Sequence, residues 1–329
     1  MTIESQRSLN QPPKKTGIMW EIYDILMNAY EFNIIGKENL TSVKNDGVRS
    51  LRERDLPLTV VDSFRHSAGD DPWLTFAVMR FYFGDVLGKI ILPVSDHHSN
   101  VTKFPAYAAL VGVAEKLPGV KMVKITQPYR TRDLSLNEAQ KTEINKQSIN
   151  TGMNFLRILS EEFETGASEL IAPESHRTPY LLPAEKGIGA SVKTLDKKGL
   201  PAKILSTAIV YPEGYSRTLN FNPFKKTPVT MYVDKPLNPG EVIEETRKFA
   251  TDNGLNVDGN DFISLMSHYL MTRMRKMLPE DQWGVYNPNN QELFYRVIRD
   301  EIKLGIWPDG KTIGLIDTVS NKPFDFPTK

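Results

Sequence analysis

The sequence has no cysteine. That excludes a disulfide framework, a thiolate nucleophile and a Cys-ligated zinc, and it fits a reducing compartment. Excess charge is also lacking: 41 Lys+Arg stand against 40 Asp+Glu, a net +1. Binding to nucleic acid by bulk charge is thereby excluded. No apolar run is long enough to cross a bilayer. The best segment, Leu74 to Val94, is interrupted by Arg80, Asp85 and Lys89, whereas a span needs roughly 20 mostly apolar residues. The opening stretch, MTIESQRSLNQPPKK, lacks the basic start and apolar core of a secretory signal. These absences lead us to expect a cytoplasmic protein, with any membrane contact peripheral and at the surface. There is no internal repeat, no low-complexity tract and no G-x-S-x-G nucleophile elbow. What remains is the balance of an ordinary globular protein, 40% hydrophobic and 25% charged over 329 residues, enough for one large α/β domain or two smaller ones.

The patterning predicts alternating helices and strands. Ile18 to Ile35 carries apolar residues at near-helical spacing and reads as a core-packing helix, with an interfacial helix as the alternative. Leu58–Asp62 reads as a buried strand, Ser63–Pro72 as a loop and Trp73–Val86 as a helix. Val120–Thr126 reads as a strand. Ser135 with Glu138 resembles a capping box opening a long helix, and Gly166 sits where its C-terminal cap belongs. Strands follow at Glu169–Ala172, Lys203–Val210 and Val229–Val233. The last third reads as helical, over Glu241–Ala250, Phe262–Leu278 and Asn290–Leu304, with an irregular tail from Trp307. This order implies an α/β fold: a central, mostly parallel mixed sheet flanked by helices, a helical N-terminal segment and a helical C-terminal third. The expected divisions are a polar tail and helix over 1–35, an α/β domain over 36–236 and a packed helical extension over 237–329, with Pro236–Gly240 as hinge.

Two loops concentrate the chemistry. In Ser63-Phe64-Arg65-His66-Ser67-Ala68-Gly69-Asp70-Asp71-Pro72, His66 precedes Asp71 by five positions, between a predicted strand and helix. Ligands of open α/β sheets bind at the carboxyl ends of strands. A carboxylate on one imidazole nitrogen fixes the tautomer, and the other nitrogen can then take a proton from a hydroxyl. The second loop, Ala172-Pro173-Glu174-Ser175-His176-Arg177-Thr178, follows a predicted strand. Its Arg177 offers a planar fork to a phosphate or carboxylate, and a Glu174–Arg177 surface pair is its bland alternative. Asp96-His97-His98 lacks a third convergent ligand, so no metal is expected. His268, among Leu265, Met266, Leu270 and Met271, reads as a structural histidine.

In this order the two loops resemble those of the glycerolipid acyltransferase superfamily, which includes the glycerol-3-phosphate and 1-acylglycerol-3-phosphate O-acyltransferases. His66 and Asp71 match its H-x4-D block, with Pro72 following. Residues 172–178 match its F-P-E-G-T-R-S block through Pro173, Glu174 and Arg177. Arg130 and Arg132, in Ile125-Thr126-Gln127-Pro128-Tyr129-Arg130-Thr131-Arg132, are candidates for the arginine of the intervening block. The resemblance runs over about residues 35–235. It departs at Ser175-His176, where the family has Gly-Thr, at Ser206, where it often has Pro, and in an interval from His66 to Glu174 longer than in compact members.

The resemblance implies an acyltransferase active in phospholipid biosynthesis. A fatty acyl group would move from acyl-CoA or acyl-carrier protein, used as substrate with no tightly bound cofactor, to a hydroxyl of glycerol-3-phosphate or lysophosphatidate. His66 would be the general base and Asp71 its orienter. Glu174, Arg177, Arg130, Arg132 and His176 would form the substrate-binding set, and backbone N–H groups near Glu174 to His176 would meet the oxyanion. Two further expectations stand beside it: a non-catalytic lipid- or partner-binding protein on the same fold, and an unrelated α/β hydrolase for which Ser63 and Ser67 are poorly placed as nucleophiles.

Overall fold

The computed structural model describes residues 28–96, 112, 119–215, 226–257 and 261–326. Its centre is a seven-stranded sheet built from β1 (Tyr30–Ile35), β2 (Thr59–Phe64), β3 (Ile90–Ser95), β4 (Val120–Ile125), β5 (Ser168–Ile171), β6 (Ala202–Val210) and β7 (Thr227–Val233). The strand order is β1-β7-β6-β2-β5-β3-β4. Every pairing is parallel except β6 with β7. The fold is therefore α/β with a mostly parallel mixed sheet.

Parallel strands are covered on both faces and read as continuous apolar runs. Here neighbouring residues go to opposite cores. Val60, Ile90, Leu170 and Leu205 face one core with α1 (Lys37–Arg54) and α2 (Asp71–Phe83). Val61, Ile91, Ile171 and Ile204 face the other, under α3 (Glu138–Phe163), α4 (Gly187–Lys197), α5 (Pro239–Asp252) and α6 (Asp261–Arg275). A third core joins α6 to α7 (Gln291–Ile298) and to an antiparallel meander, β8 (Ile302–Ile306), β9 (Ile313–Asp317) and β10 (Lys322–Phe324).

Several boundaries differ from the sequence expectation. Of the helix expected over Ile18 to Ile35, residues 18–27 lie outside the described residues, and Tyr30–Ile35 is instead the edge strand β1. Tyr30, Phe32 and Ile34 face inward and Glu31, Asn33 and Ile35 outward, a period of two that suits a half-buried edge. The main sheet thus begins before residue 36. At the expected hinge, Pro236–Gly240, Leu237 exchanges backbone hydrogen bonds with Ile204, and Asn238 caps α5 in a capping box with Glu241. The long helix α3 is capped by Asn137 with Gln140, while Ser135 hydrogen-bonds Asp133 instead. Gly166 follows α3 with φ 76°, and a Cβ there would lie 2.4 Å from the Pro57 carbonyl oxygen, so only glycine fits. The helix expected over Asn290–Leu304 ends at Ile298. The tail expected to be irregular forms β9 and β10.

Candidate active site

β2 and β5 are adjacent, with Asp62 opposite Leu170 and Ser63 opposite Ile171. This register brings together the two loops, which the sequence separates widely. The His66 backbone N–H donates to Glu174 Oε2 at 3.0 Å, and the Thr178 N–H donates to the His66 carbonyl at 3.2 Å.

His66 lies just beyond the end of β2, with 13% of its side chain exposed. Its Nδ1 is 3.7 Å from Asp71 Oδ2 and has no hydrogen-bond partner among the described residues. The expected orienting contact is therefore a close approach and not a hydrogen bond. Asp71 begins α2 and is fully buried. Its Oδ2 accepts from the N–H groups of Ser67 at 2.5 Å and Ala68 at 2.6 Å, and from the Ser67 hydroxyl at 3.2 Å. Its Oδ1 accepts from the Tyr211 hydroxyl at 2.7 Å. The carboxylate thus ties down the loop that carries His66. Ser67, engaged by Asp71, and Ser63, fully buried on β2, have no nucleophile's setting.

Glu174, expected in the substrate-binding set, lies beneath the cavity. It is 1% exposed and absent from the cavity lining. Besides His66, it accepts from the Leu182 N–H at 3.4 Å. Burial raises its carboxyl to about 7, against the opposing pull of Arg65 and the two N–H donors. Arg65 is itself buried and reaches Gln282 Oε1 at 2.5 Å and the Pro179 carbonyl. Ser175 adopts φ 58°, the left-handed conformation for which the resembled family carries glycine, and its N–H is engaged by the Ala172 carbonyl. That removes one of the N–H groups expected to meet an oxyanion.

A cavity of about 900 Å³ runs along the carboxyl ends of β2, β3, β4 and β5. His66, Ser175, His176, Arg177, Arg130 and Arg132 all line it. Its apolar lining includes Trp73 and Phe76 of α2, Leu92 of β3, Met122 of β4 and Leu170 of β5. Arg130 and Arg132 sit on a 3-10 turn, Pro128–Arg132. Arg130 pairs with Asp96 at 3.1 Å, and Asp96 also accepts from Thr126. Arg132 pairs with Glu185 and donates through Nε to the Leu304 carbonyl at 2.6 Å. The meander adds Lys303 and Lys311 to the lining. His176 meets Tyr129 edge-on, with ring centroids 6.2 Å apart. His97 and His98 lie outside the described residues.

His268 is fully buried, between the Tyr286 hydroxyl at 2.7 Å and Asp300 at 3.1 Å. It is structural and sits away from this cavity's lining. Sequence reasoning missed Tyr211 and the meander lysines. Tyr211 stands in Tyr211-Pro212-Glu213-Gly214-Tyr215, where only its proximity to a strand end could have signalled a role. Among the described residues, no helix is long and apolar enough to cross a membrane. In comparison with known proteins, no family model matches the chain and no curated protein matches it.

Proposed function

We propose that the chain is an O-acyltransferase, moving a fatty acyl group from an acyl thioester to a hydroxyl of a glycerol-phosphate-type acceptor. The supporting observation is a single cavity lined by the His66 imidazole, by guanidinium groups and by an apolar stretch. Such a cavity suits an anionic head, a hydroxyl and a hydrocarbon chain presented together.

In this reading Nε2 of His66 takes the acceptor's hydroxyl proton, since Nδ1 faces Asp71. The freed oxygen attacks the thioester carbonyl, and the carbonyl electrons move onto its oxygen. When the carbonyl re-forms, the C–S bond breaks and the leaving thiolate takes the proton from the imidazolium. No residue is acylated, and the base returns to its starting state. Arg177, with Arg130 and Arg132, neutralises the acceptor's phosphate through fork geometry. The donor is acyl-CoA or acyl-carrier protein, used as a substrate.

A second reading, a non-catalytic lipid- or partner-binding protein, draws on the open His66–Asp71 contact and the strained Ser175. One experiment separates the two. Purified protein is given acyl-CoA or acyl-carrier protein with glycerol-3-phosphate or lysophosphatidate, and lipid products are followed by mass spectrometry. The transferase reading expects a new acyl ester that is lost in His66→Ala. Tight lysophosphatidate binding without product from any donor supports the second reading.

A further inference from the structure

Asp71 is held on both oxygens, and the hydroxyl on Oδ1 comes from a part of the chain far from either motif. Tyr211 follows β6 immediately, and its hydroxyl is 2.7 Å from Asp71 Oδ1. Its ring stacks on Tyr215 with centroids 4.3 Å apart and planes 12° apart. Tyr215 donates to Asp70 at 2.5 Å and meets the Tyr30 hydroxyl of β1 at 3.1 Å. The phenol is therefore clamped by stacking and packing, with its hydroxyl aimed at the carboxylate that approaches the imidazole. Burial and the neighbouring carboxylates keep the Tyr211 phenol protonated far beyond neutral pH, so it donates to the carboxylate.

We propose that Tyr211 is a positioning residue that sets how strongly Asp71 acts on His66. The proposal rests on the acyltransferase reading for its catalytic meaning, though not for its test. A donor on Oδ1 draws carboxylate charge away from Oδ2, the oxygen nearest Nδ1. It also fixes the carboxylate rotation, leaving Oδ2 to the Ser67 and Ala68 N–H groups with the imidazole just outside hydrogen-bond range. Removing the hydroxyl concentrates charge toward the ring and lets the carboxylate turn to it. The other charged or titratable groups around the pair are Asp70 at the start of α2, Arg65 beside His66, Glu174 after β5, Tyr215 after β6, Tyr30 on β1, Asp281 near Arg65 and, in the cavity His66 faces, His176, Arg177, Arg130, Arg132, Glu185, Lys186, Lys303 and Lys311. None of these is altered by Tyr211→Phe.

The test is a histidine NMR titration of the full chain. It has only five histidines, and the His66 signal is assigned by its loss in His66→Ala. In Tyr211→Phe we expect the His66 midpoint to rise by roughly 0.5 to 1 pH unit, the scale of one hydrogen bond to a charged group. In Tyr215→Phe, which keeps the stacking ring and the Asp71 contact, it stays at the wild-type position. An unmoved midpoint in Tyr211→Phe overturns the proposal. So does an equal movement in both variants, which would mark a packing effect. Should Tyr211→Phe fold poorly, Ser67→Ala serves instead: removing a donor from Oδ2 leaves the N–H groups in place and is expected to move the midpoint upward, and no movement counts against the proposal. This readout stands whether or not acyl transfer is observed. For an active wild type, the acid limb of kcat/KM in Tyr211→Phe moves to higher pH with KM for both substrates retained.

Discussion

The loop carrying His66 and the turn carrying Arg130 and Arg132 line the same cavity, yet different forces hold them. The His66 loop is secured by buried carboxylates on backbone N–H groups: Asp71 on Ser67 and Ala68, Glu174 on His66 and Leu182. The arginine turn is secured by one pair that retains solvent contact, Arg130 with Asp96, by the largely buried pair of Arg132 with Glu185, and by the edge of the C-terminal meander. Buried charge-assisted hydrogen bonds are costly to break because the remaining partner is stranded without water. Half-exposed ion pairs are screened and exchange partners readily. In the proposed reaction a base must keep its geometry, whereas an anion-binding wall can exchange its own carboxylates for a ligand's phosphate.

The contrast is broken most severely at Glu174. Glu174→Ala strands two N–H groups and removes the carboxylate that acts most strongly on buried Arg65, so we expect a loss of about 3 kcal/mol or more of stability. Urea unfolding would read it, and Glu174→Gln, which keeps an acceptor oxygen, should lose clearly less. At a guanidinium of the cavity lining the expected effect is on binding. Arg177→Ala should raise KM for a phosphorylated acceptor roughly 10- to 100-fold with a smaller change in kcat. Steady-state kinetics at fixed ionic strength, with an uncharged acceptor as control, would show the difference.

A second contrast lies within the sheet. Asp62 and Glu169 are fully buried on adjacent strands. Asp62 accepts from the Thr207 hydroxyl, whereas Glu169 has Ser191 as a polar neighbour but neither oxygen in a sound hydrogen bond. Burial raises Asp62 from 3.8 to about 7 and Glu169 from 4.5 to about 8. The folded chain keeps these protons over a range where the unfolded chain releases them. Stability from this source is complete below about pH 4 and declines as pH rises toward about 8. Glu169→Gln should flatten the upper part of that decline, as measured by melting temperature against pH. The smallest expected effect is at Ser175. Its φ of 58° is relieved in Ser175→Gly, which should gain ~0.5–1 kcal/mol, read as a small rise in the unfolding midpoint.

What was legible in the sequence followed from how local the interactions are. His66 and Asp71 sit five positions apart, and β2, β4, β5 and β6 are short stretches centred on Val, Ile and Leu, so motif and strands could be read directly. The alternation of strand and helix then implied that both loops lie at one sheet edge. Four things resisted. Glu174 looks like a loop carboxylate from its neighbours, and only the β2–β5 register turns it inward. The edge strand β1 follows a stretch of helical spacing, and its period of two is visible only once β7 supplies a partner. The meander is rich in Gly, Pro and Asp, residues that punctuate its turns, so its short strands are stabilised by tertiary contacts with the arginine turn and α7, not by local propensity. Tyr211 was missed for the same reason: its partner lies 140 positions away.

The central claim is that the His66 imidazole moves the proton in an acyl transfer. Its most direct test is the turnover of His66→Ala against wild type, with donor and acceptor saturating and both proteins shown to be equally folded by their melting temperatures. We predict a fall in kcat of about 10² to 10⁴-fold, equivalent to roughly 3 to 5 kcal/mol of transition-state stabilisation. Turnover by His66→Ala at the wild-type rate would contradict the account.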